Sequence, residues 1–320
     1  RPLFEQYDSI VQSRTVRRPG EADAAVLALP DGSALAVSID CNGRRVAADP
    51  YRGAVEAVLE CAGNLACTGA EPLGTTNNLN FGNPEKEHIA WQLTEAVRGL
   101  GDACRALRAP IVGGNVSLYN EGPSGPIYPT PVIGMVGLLP DASLAGRLGF
   151  QREGDAIALL GPFAPSLAAS ELDKLHGRPL PDQLPPFDLE AVRSAQQAVR
   201  DAVRERLVAS AHDIAEGGLA VALAECCLAG GIGADVTVAA PEDPLTALFG
   251  EGPGGFLVSG PSQAIDRLVE QAGARVIGSV GGEELRVVTV DGDPGAAREL
   301  LSVKLDQLRS ASERLGELFP

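Results

Sequence analysis

Aromatic residues are scarce in this sequence. They make up 4% of its 320 residues, whereas hydrophobic residues of all kinds make up 45%. A core of any size must therefore be built from Ala, Val, Leu and Ile, as in packed layers of helices on sheets. The hydrophobic share excludes global disorder, and the length is enough for two domains of ordinary size.

Clusters of basic residues are missing as well. The formal net charge is −16, and Arg17-Arg18 and Arg44-Arg45 are isolated pairs. A protein that binds a nucleic-acid duplex neutralises phosphates with clustered Lys and Arg, so this pattern argues against duplex binding. A small phosphorylated ligand remains compatible with it, because backbone amides or a metal ion can bind phosphate locally.

Cysteine and histidine do not form the spacings that several kinds of site require. None of the six cysteines belongs to a CxxC motif, which favours reduced thiols over a disulfide framework. Cys61 and Cys104 fall on apolar helical stripes, and we expect them in the core. The three histidines allow neither a zinc site nor a Ser/His/Asp order, and His88 and His176 are expected at the surface.

Long apolar runs are also missing, since runs such as residues 131–140 have the length of a strand. We therefore expect neither a membrane span nor a signal peptide, and we expect a cytoplasmic protein. The sequence has no initiator Met and begins with RPLFEQYDS, so we expect it to be a fragment of a longer chain.

Apolar spacing predicts mixed strands and helices in both parts of the chain, and hence an α/β (α+β) fold. Gly and Pro residues punctuate residues 140–154, and we place a boundary there between a domain at 1–145 and a domain at 146–320. The predicted elements of the first domain are a hairpin over 24–39, helices over 52–70 and 87–108, and strands over 110–112 and 131–139. Those of the second are strands over 155–160 and near 234–238, 256–259, 275–278 and 285–290, and helices over 188–207 (capped by Asp188), 219–228, 263–272 and 294–315.

The segment GGNVSLYNE, residues 113–121, follows a predicted strand. Its two glycines let backbone amides come close to a ligand, because no Cβ blocks the approach. The polar side chains that follow suit phosphate oxygens and a hydrated Mg²⁺. No GK[ST] follows the glycines, so this is not a Walker A loop. The alternative interpretation is a tight turn with a solvated polar face.

Three further segments allow a binding or a structural role. The polar stretch 75–87 is predicted as a turn-rich loop, whose amides suit purine edges or ribose hydroxyls or simply satisfy turns. Asp40 and Asp49 flank the start of the next helix, where a carboxylate either binds metal or caps. Residues 211–218 are predicted as a polar turn containing HDIAEGG. There His212 suits acid–base or metal chemistry and the glycines suit an anion, with a structural histidine as the alternative.

These segments occur together and in order, which is far more specific than any one alone. The runs are DPYRGAVEAVLECAGNLACTGAEPLGTTNNLNFGNPEKE, AVRGLGDACRALRAPIVGGNVSLYNE, PTPVIGMVGLL and HDIAEGGLAVALAE. In combination they resemble the C-terminal half of phosphoribosylformylglycinamidine synthase, small-type PurL synthetase subunit, in the AIR-synthetase-like superfamily. The resemblance covers nearly the whole chain and is densest between residues 40 and 140.

The resemblance implies an internal duplication, in which each half has an N-terminal and a C-terminal α/β domain. The two N-terminal domains would pair face to face, and the active site would draw on both halves. The implied ligase reaction converts formylglycinamide ribonucleotide, ATP and ammonia to the amidine, ADP and phosphate through an iminophosphate, in purine biosynthesis. Ammonia would come from glutamine through a glutaminase subunit, PurQ, and a small bridging subunit, PurS, would complete the complex.

Carried onto this sequence, the family's GNVS tetrad places Gly114 at ATP, Asn115 at Mg²⁺ and Ser117 at the formylglycinamide ribonucleotide. The physical chemistry agrees, since a glycine amide suits a nucleotide, a carboxamide oxygen suits a hard cation and a hydroxyl suits a polar substrate. Asn77, where relatives often have Asp, is implied as a further ATP contact.

The departures from the family pattern matter equally. The catalytic His of the family lies in a His-Asn-His-Pro run of the first half, whereas the equivalent run here is Cys41-Asn42-Gly43-Arg44. Asn64 stands where the first half has a metal-binding Asp, and Glu251-Gly252-Pro253 replaces Glu-Ser-Gln. We therefore expect no catalytic residue in this chain. The second pocket, near Asp213 and Glu216, is expected to be degenerate, holding at most a structural nucleotide or metal.

Two hypotheses stay open. In the first, the chain is half of the synthetase and is inactive without the other half; in the second, it is an inert nucleotide-binding or scaffolding module. Another superfamily enzyme, such as AIR synthetase, selenophosphate synthetase or thiamine-phosphate kinase, is disfavoured by the runs LNFGNPEK and GGNVSLYNE. An unpaired hairpin sheet would expose an edge and an apolar face, so we also expect pairing through the first domain, with the isolated chain forming a dimer.

Overall fold

The computed structural model describes residues 6–239, 243–290 and 297–318. Its first part is a sheet with two long helices packed on one face. The strands are β1 Thr15–Arg17, β2 Ala25–Ala28, β3 Ala34–Asp40, β4 Glu71–Asn80, β5 Ile111–Ser117 and β8 Thr130–Leu139, with a small hairpin of β6 Glu121–Gly122 and β7 Gly125–Pro126. The helices are α1 Gly43–Ala48, α2 Pro50–Cys67 and α3 Glu87–Leu107. Within the described residues the sheet order is β1-β2-β3-β8-β4-β5.

Local sequence explains where the two long helices begin and how closely they pack. The Asp49 carboxylate accepts a hydrogen bond from the backbone N–H of Arg52, and Pro50 occupies the first turn of α2, as favoured at helix starts. A Cβ on Gly99 of α3 would lie 2.3 Å from the Tyr51 carbonyl oxygen. Glycine is therefore required where α3 crosses the start of α2. Cys61 and Cys104 lie in the core between helices and sheet, as expected.

Two loop predictions in the first part are wrong. Residues 75–80, predicted as a turn-rich loop, form the second half of β4, and the GGNVS segment continues as β5 through Ser117. The two strands pair in parallel from Thr75–Ile111 to Asn80–Ser117. Sheet pairing satisfies the backbone and overrides the low strand preference of Asn and Gly. The hairpin and the strand over 131–139 are confirmed.

The second part is another sheet packed with helices. Its strands are β9 Ala156–Leu160, β10 Ser210–Asp213, β11 Ala234–Ala239, β12 Phe256–Gly260, β13 Arg275–Val280, β14 Glu284–Val290 and β15 Ala297–Lys304. Its helices are α4 Glu171–Leu175, α5 Leu189–Arg204, α6 Gly218–Gly230, α7 Pro244–Phe249, α8 Ser262–Ala272 and α9 Leu305–Glu313. Among the described strands the order is β10-β12-β9-β13-β11-β14-β15. Asp188 caps α5, as predicted.

Two predictions in the second part also need correction. The polar turn predicted over 211–218 begins with β10, which pairs antiparallel with β12 and buries His212 and Asp213. The helix predicted over 294–315 is a strand at 297–304 and becomes helical only from Leu305, while 294–296 fall outside the described residues. Pairing of β15 with β14 accounts for the difference, because it buries part of an otherwise helix-forming segment at the end of the sheet.

Helix α2 joins the two parts. It contacts helix α5 and strand β10 of the second part as well as the sheet of the first part. All six cysteines lie in described residues and each is a free thiol. Among the described helices, none combines the length and apolar character needed to cross a membrane. A group of carboxylates, described below, lies at this junction along α2.

Candidate functional site

The residues carried over from the GNVS motif lie at one margin of the first sheet. In the β4–β5 register Asn77 is opposite Gly114, and Asn78 is opposite Asn115. A Cβ on Gly114 would lie 2.8 Å from the Asn77 side-chain oxygen and 2.9 Å from its carbonyl oxygen. The two residues assigned to ATP are therefore neighbours, and the close approach requires glycine at position 114.

The register also separates these residues between the two faces of the sheet. Side chains alternate along a strand, and Asn77 is aligned with buried Ile133, so Asn77 faces the helices. Asn115 and Ser117 face the opposite, open side, where Asn115 Nδ2 donates to Asn78 Oδ1 at 3.0 Å. The assigned nucleotide contact at Asn77 and the assigned metal and substrate contacts thus point to different faces.

A corner after β5 fixes the position of Ser117. The Asn120 side-chain amide donates to the carbonyl oxygens of Ser117 at 2.9 Å and Phe81 at 3.1 Å. Tyr119 adopts a left-handed backbone conformation between them, with φ of 61°. In the described sheet β5 is the edge strand, so part of its backbone has no ladder partner and faces a potential ligand.

A second site, the carboxylate cluster, lies where α2 meets the second sheet. We define it as Asp40 at the end of β3, Glu60 in α2, Asp213 at the end of β10 and Glu216 before α6. Ligand oxygens of Asp40, Glu60 and Glu216 all lie within 4.8 Å of one another. The carboxylate oxygens of these three residues are ligands of the kind that a hard cation such as Mg²⁺ binds, and Asp213 adds a further negative charge nearby.

Burial and mutual repulsion oppose ionisation of this cluster. Burial, together with the Glu216 charge, raises the pKa of Asp40 to about 7. Burial and the neighbouring Asp40 raise the pKa of Glu60 well above its usual range, and burial beside Asp23 does the same for Asp213. A divalent cation would relieve this repulsion, so the residues present fit a metal ion chemically.

His212 is tied to the edge of the cluster as a cation. Its Nδ1 lies 2.8 Å from Asp23 Oδ1 and its Nε2 lies 3.1 Å from Glu225 Oε2. Although burial opposes the charged form, the Asp23 carboxylate raises the pKa of His212 well above its usual value. With both ring nitrogens donating, the imidazolium has no lone pair with which to act as a base or to ligate a metal, and both of its protons are held by carboxylates, which favours the structural alternative. His88 and His176 are exposed, as expected.

Two side-chain amides contact the same cluster. Asn42 Nδ2 donates to Glu216 Oε1 at 3.0 Å, while its Oδ1 caps α1. Asn64 Nδ2 lies 3.5 Å from Asp40 Oδ2. Of the two, only Asn64 is a position at which the resemblance implies a replaced metal-binding Asp. They solvate carboxylates here and add no further negative charge.

A buried ion network lies next to the carboxylate cluster. Arg45 makes a two-pronged pair with Glu56, with Nε–Oε2 at 2.6 Å and NH2–Oε1 at 3.0 Å. Glu251 Oε1 accepts from the backbone N–H groups of Glu171 at 2.8 Å and Gly217 at 2.9 Å. Glu251 thus anchors the turn that carries Glu216. Burial raises the pKa of Glu251 as well.

Sequence reasoning missed Glu60, Asp23 and Glu225. Glu60 gave a weak signal, because it is one of two glutamates in a largely apolar helix and lies one turn before Asn64. Asp23 and Glu225 gave none, since only the tertiary fold brings them to His212. Of the two aspartates left open, Asp49 caps α2 whereas Asp40 belongs to the carboxylate cluster.

Comparison with protein families identifies the class. One family model, described as "AIR synthase related protein, N-terminal domain", matches residues 21–139, and the corresponding C-terminal-domain model matches residues 152–291. The chain belongs to the AIR synthase related family. This agrees with the fold class expected from the sequence.

Curated relatives support a narrower likeness. The chain is 46% identical over 313 residues to "Phosphoribosylformylglycinamidine synthase subunit PurL" of Moorella thermoacetica, covering 96% of this chain and 42% of the relative. It is 46% identical over 338 residues to the protein of that name from Synechococcus sp. (strain JA-3-3Ab), with coverages of 97% and 43%. These matches confirm the resemblance drawn from the motifs. The chain spans about two fifths of the length of these relatives.

Solved structures share the fold at low identity. The chain matches T. maritima PurL complexed with FGAR with a TM-score of 0.75 and 21% identity, covering 91% of this chain and 48% of that one. T. maritima PurL complexed with ATP gives a TM-score of 0.72 at 20% identity, with coverages of 89% and 46%. PurLQS from Thermotoga maritima gives 0.70 at 20% identity, with coverages of 89% and 46%.

Proposed function

We propose that this chain is the C-terminal half of a phosphoribosylformylglycinamidine synthase and acts only together with the other half. The observation that carries the proposal is the side-by-side placement of Asn115 and Ser117 on the open face of the first sheet, next to an unpaired strand edge. The likeness to curated PurL proteins over nearly the whole chain supports it. The T. maritima structures with FGAR and with ATP are compatible with such a site.

In this proposal each residue binds or positions a reactant. Asn115 has its Nδ2 engaged by Asn78, so its carboxamide oxygen is the atom left for Mg²⁺, which when bound would neutralise charge on the ATP phosphates. Ser117 would hydrogen-bond the formylglycinamide ribonucleotide and Gly114 would contact ATP, whereas the ATP contact assigned to Asn77 would lie on the helix face of the sheet, apart from the other three. The proposed chemistry passes through an iminophosphate that ammonia, supplied from glutamine by PurQ with PurS, converts to the amidine.

Amidine formation tests the proposal directly. The chain is assayed with ATP, ammonia and formylglycinamide ribonucleotide, alone and with the part of the synthetase that it does not cover. Turnover is expected only in the mixture, and robust turnover by the isolated chain would refute the proposal. Ser117→Ala is expected to raise KM for the ribonucleotide by about tenfold. The matched Ser302→Ala, on β15 of the other sheet, is expected to have no effect.

The carboxylate cluster supports a second candidate function, a structural nucleotide held through Mg²⁺ without chemistry. The raised pKa values of Asp40 and Glu60 favour this function, because a bound cation would relieve the repulsion between their carboxylates. Calorimetry with Mg-ADP on Glu60→Gln is the test, with Glu270→Gln on the exposed surface of α8 as the control. Loss of binding in Glu60→Gln alone would support this function, and absence of any heat from the unaltered chain would exclude it.

Three further expectations remain proposals. The domain boundary falls between residues 145 and 146, and the location is cytoplasmic. The open face of the first sheet pairs with the other half, or with a second copy when the chain is alone. Exposed apolar side chains on that face, with Ile39 71% and Leu138 36% accessible, favour pairing. Light scattering is expected to detect a dimer that Ile39→Lys dissociates, and a monomer at tens of micromolar would contradict pairing.

A further inference from the structure

A pocket lined by four arginines lies on the other side of the domain junction. It has a volume of about 330 Å³ and is bordered by Arg17 at the end of β1, Arg147 and Arg152 in the connection to β9, and Arg206 after α5. This volume is near the lower end of the range for small-molecule sites. Arg17, the connection that carries Arg147 and Arg152, and Arg206 are far apart in sequence, so the fold brings three separate segments together.

None of these four arginines forms an ion pair with a carboxylate among the described residues. The pocket lining contains neither Asp nor Glu. Glu21 acts on Arg17, Asp155 on Arg152 and Asp141 on Arg206, but only through charge at a distance, without a hydrogen bond. In a chain whose net charge is −16, four arginines gathered in this way repel one another and favour a bound anion.

The fold holds the Arg17 side chain in place, whereas Arg147, Arg152 and Arg206 are exposed. Arg17 Nε and NH2 donate to the carbonyl oxygens of Gly146 at 2.8 Å and Ala145 at 2.5 Å. Burial and the adjacent Arg147 charge lower the pKa of Arg17. The Arg147 carbonyl oxygen accepts from the backbone N–H of Ala211 at 2.9 Å, which ties the connection to β10. The guanidinium donors of Arg17 are therefore occupied by backbone carbonyl oxygens. The guanidinium groups of Arg147, Arg152 and Arg206 remain available to a ligand.

Arg206 provides an independent indication. It occupies the left-handed position just after α5, with φ of 57°, and its backbone N–H donates to the Val203 carbonyl oxygen. Glycine is the residue favoured there, because a side chain is strained in that conformation. Arg206 NH2 reaches Ser143 Oγ at 3.3 Å, on the pocket rim. The left-handed conformation alone indicates no binding role, since Arg108 shares it away from the pocket; the indication is the position of the Arg206 guanidinium on the pocket rim.

We propose that this pocket binds a phosphoryl dianion, either inorganic phosphate or a phosphate monoester, through Arg147, Arg152 and Arg206. Guanidinium groups bind phosphate oxygens in a two-pronged geometry, and several together neutralise both charges. The pocket is separate from the carboxylate cluster and from the open face of the first sheet. The inference therefore goes beyond the proposed function and does not depend on it.

Calorimetry without divalent cations, at constant low ionic strength, tests the pocket. Without metal the carboxylate cluster repels anions, so it cannot account for binding. The probes are inorganic phosphate, glycerol 3-phosphate and, as a non-phosphoryl polyanion, citrate. We expect saturable binding of phosphate or glycerol 3-phosphate in preference to citrate. Whichever of these two probes binds more tightly shows whether the pocket takes inorganic phosphate or a phosphate monoester. Equal binding of citrate, or no saturation at millimolar probe, would overturn the proposal.

Arg206→Gly separates loss of binding from loss of folding. It removes the guanidinium and relieves the left-handed backbone, so we expect binding at least tenfold weaker with an unchanged or raised Tm. Arg108→Gly is the matched control, because Arg108 is exposed and has φ of 55° at the end of α3, away from the pocket. It is expected to raise Tm without changing affinity. Equal affinities of the two variants would refute the assignment.

Discussion

At the scale of single residues, adjacent residues of the same type have different surroundings in the structure. Gly113 and Gly114 stand next to each other in one motif, yet a Cβ on Gly113 would meet open space whereas one on Gly114 would meet Asn77. Arg45 and Arg44 are an isolated basic pair in sequence, but only Arg45 is buried against Glu56. Replacing one of two adjacent residues is therefore expected to change the free energy of unfolding far more than replacing the other.

Gly114→Ala is expected to destabilise the chain by about 1–3 kcal/mol, because the new methyl group would overlap both oxygens of Asn77 and force β5 away from β4. Gly113→Ala, one residue earlier in the same strand, is expected to be neutral or slightly stabilising. Urea unfolding measures both. Equal unfolding midpoints for the two variants would show that the close approach to Asn77 carries no strain.

Arg45→Ala is expected to cost about 3–5 kcal/mol, since it leaves Glu56 buried without its partner and removes the positive charge beside Glu251. Arg193→Ala, which breaks an exposed pair with Glu190 one helical turn away, is expected to cost less than about 1 kcal/mol. Thermal and denaturant unfolding of the two variants give the comparison. A similar small loss in both would mean that the Arg45 network is stabilised chiefly by solvent.

At the scale of elements, α2 is the helix on which both candidate sites depend. It supplies Glu60 to the carboxylate cluster and packs against α3, α5 and β10. Its start was readable from the sequence, because Asp49 and Pro50 are typical of a helix N-terminus. Its contacts with the second sheet were not readable, because side-chain spacing identifies a buried face and not the element that covers it.

Asp49→Ala is expected to destabilise the chain by about 0.5–2 kcal/mol, because the first turn of α2 loses the carboxylate that accepts from the Arg52 N–H. Asp49→Asn keeps an accepting oxygen and is expected to lose much less. Equilibrium unfolding distinguishes the variants. If both lost the same amount, the ion pair with Arg52, and not the cap, would be the stabilising contact.

At the scale of the whole molecule, the sequence was sufficient for the fold class and for most elements, and the family resemblance was confirmed by the relatives. It failed where pairing between distant segments decides structure. Asn-rich β4 and glycine-rich β5 became strands because they pair with each other, and β15 because it pairs with β14. For the same reason the sequence did not reveal the carboxylate cluster or the arginine pocket, whose members come from three separated segments each.

The carboxylate cluster and His212 together determine how stability depends on pH in the absence of metal. The pKa of Asp40 is about 7 in the folded chain against 3.8 in a model carboxyl. Between those values the folded state binds more protons than the unfolded state, so stability decreases as pH rises. Glu60 and Asp213, with raised pKa values, act in the same direction. His212, whose pKa is also raised, adds stability at low pH that is lost as pH rises.

We therefore expect the metal-free chain to have a higher Tm at pH 5.5 than at pH 8, and we expect Mg²⁺ to raise Tm more at pH 8, where the carboxylates are ionised. Glu60→Gln removes one titrating group from the cluster and is expected to flatten the profile, whereas Glu270→Gln, at an exposed position of α8, should leave it unchanged. Thermal unfolding in a chelating buffer across this range measures the effect. A Tm that rises with pH in the unaltered chain would show that the cluster is ionised without a cation and that its protons do not govern stability.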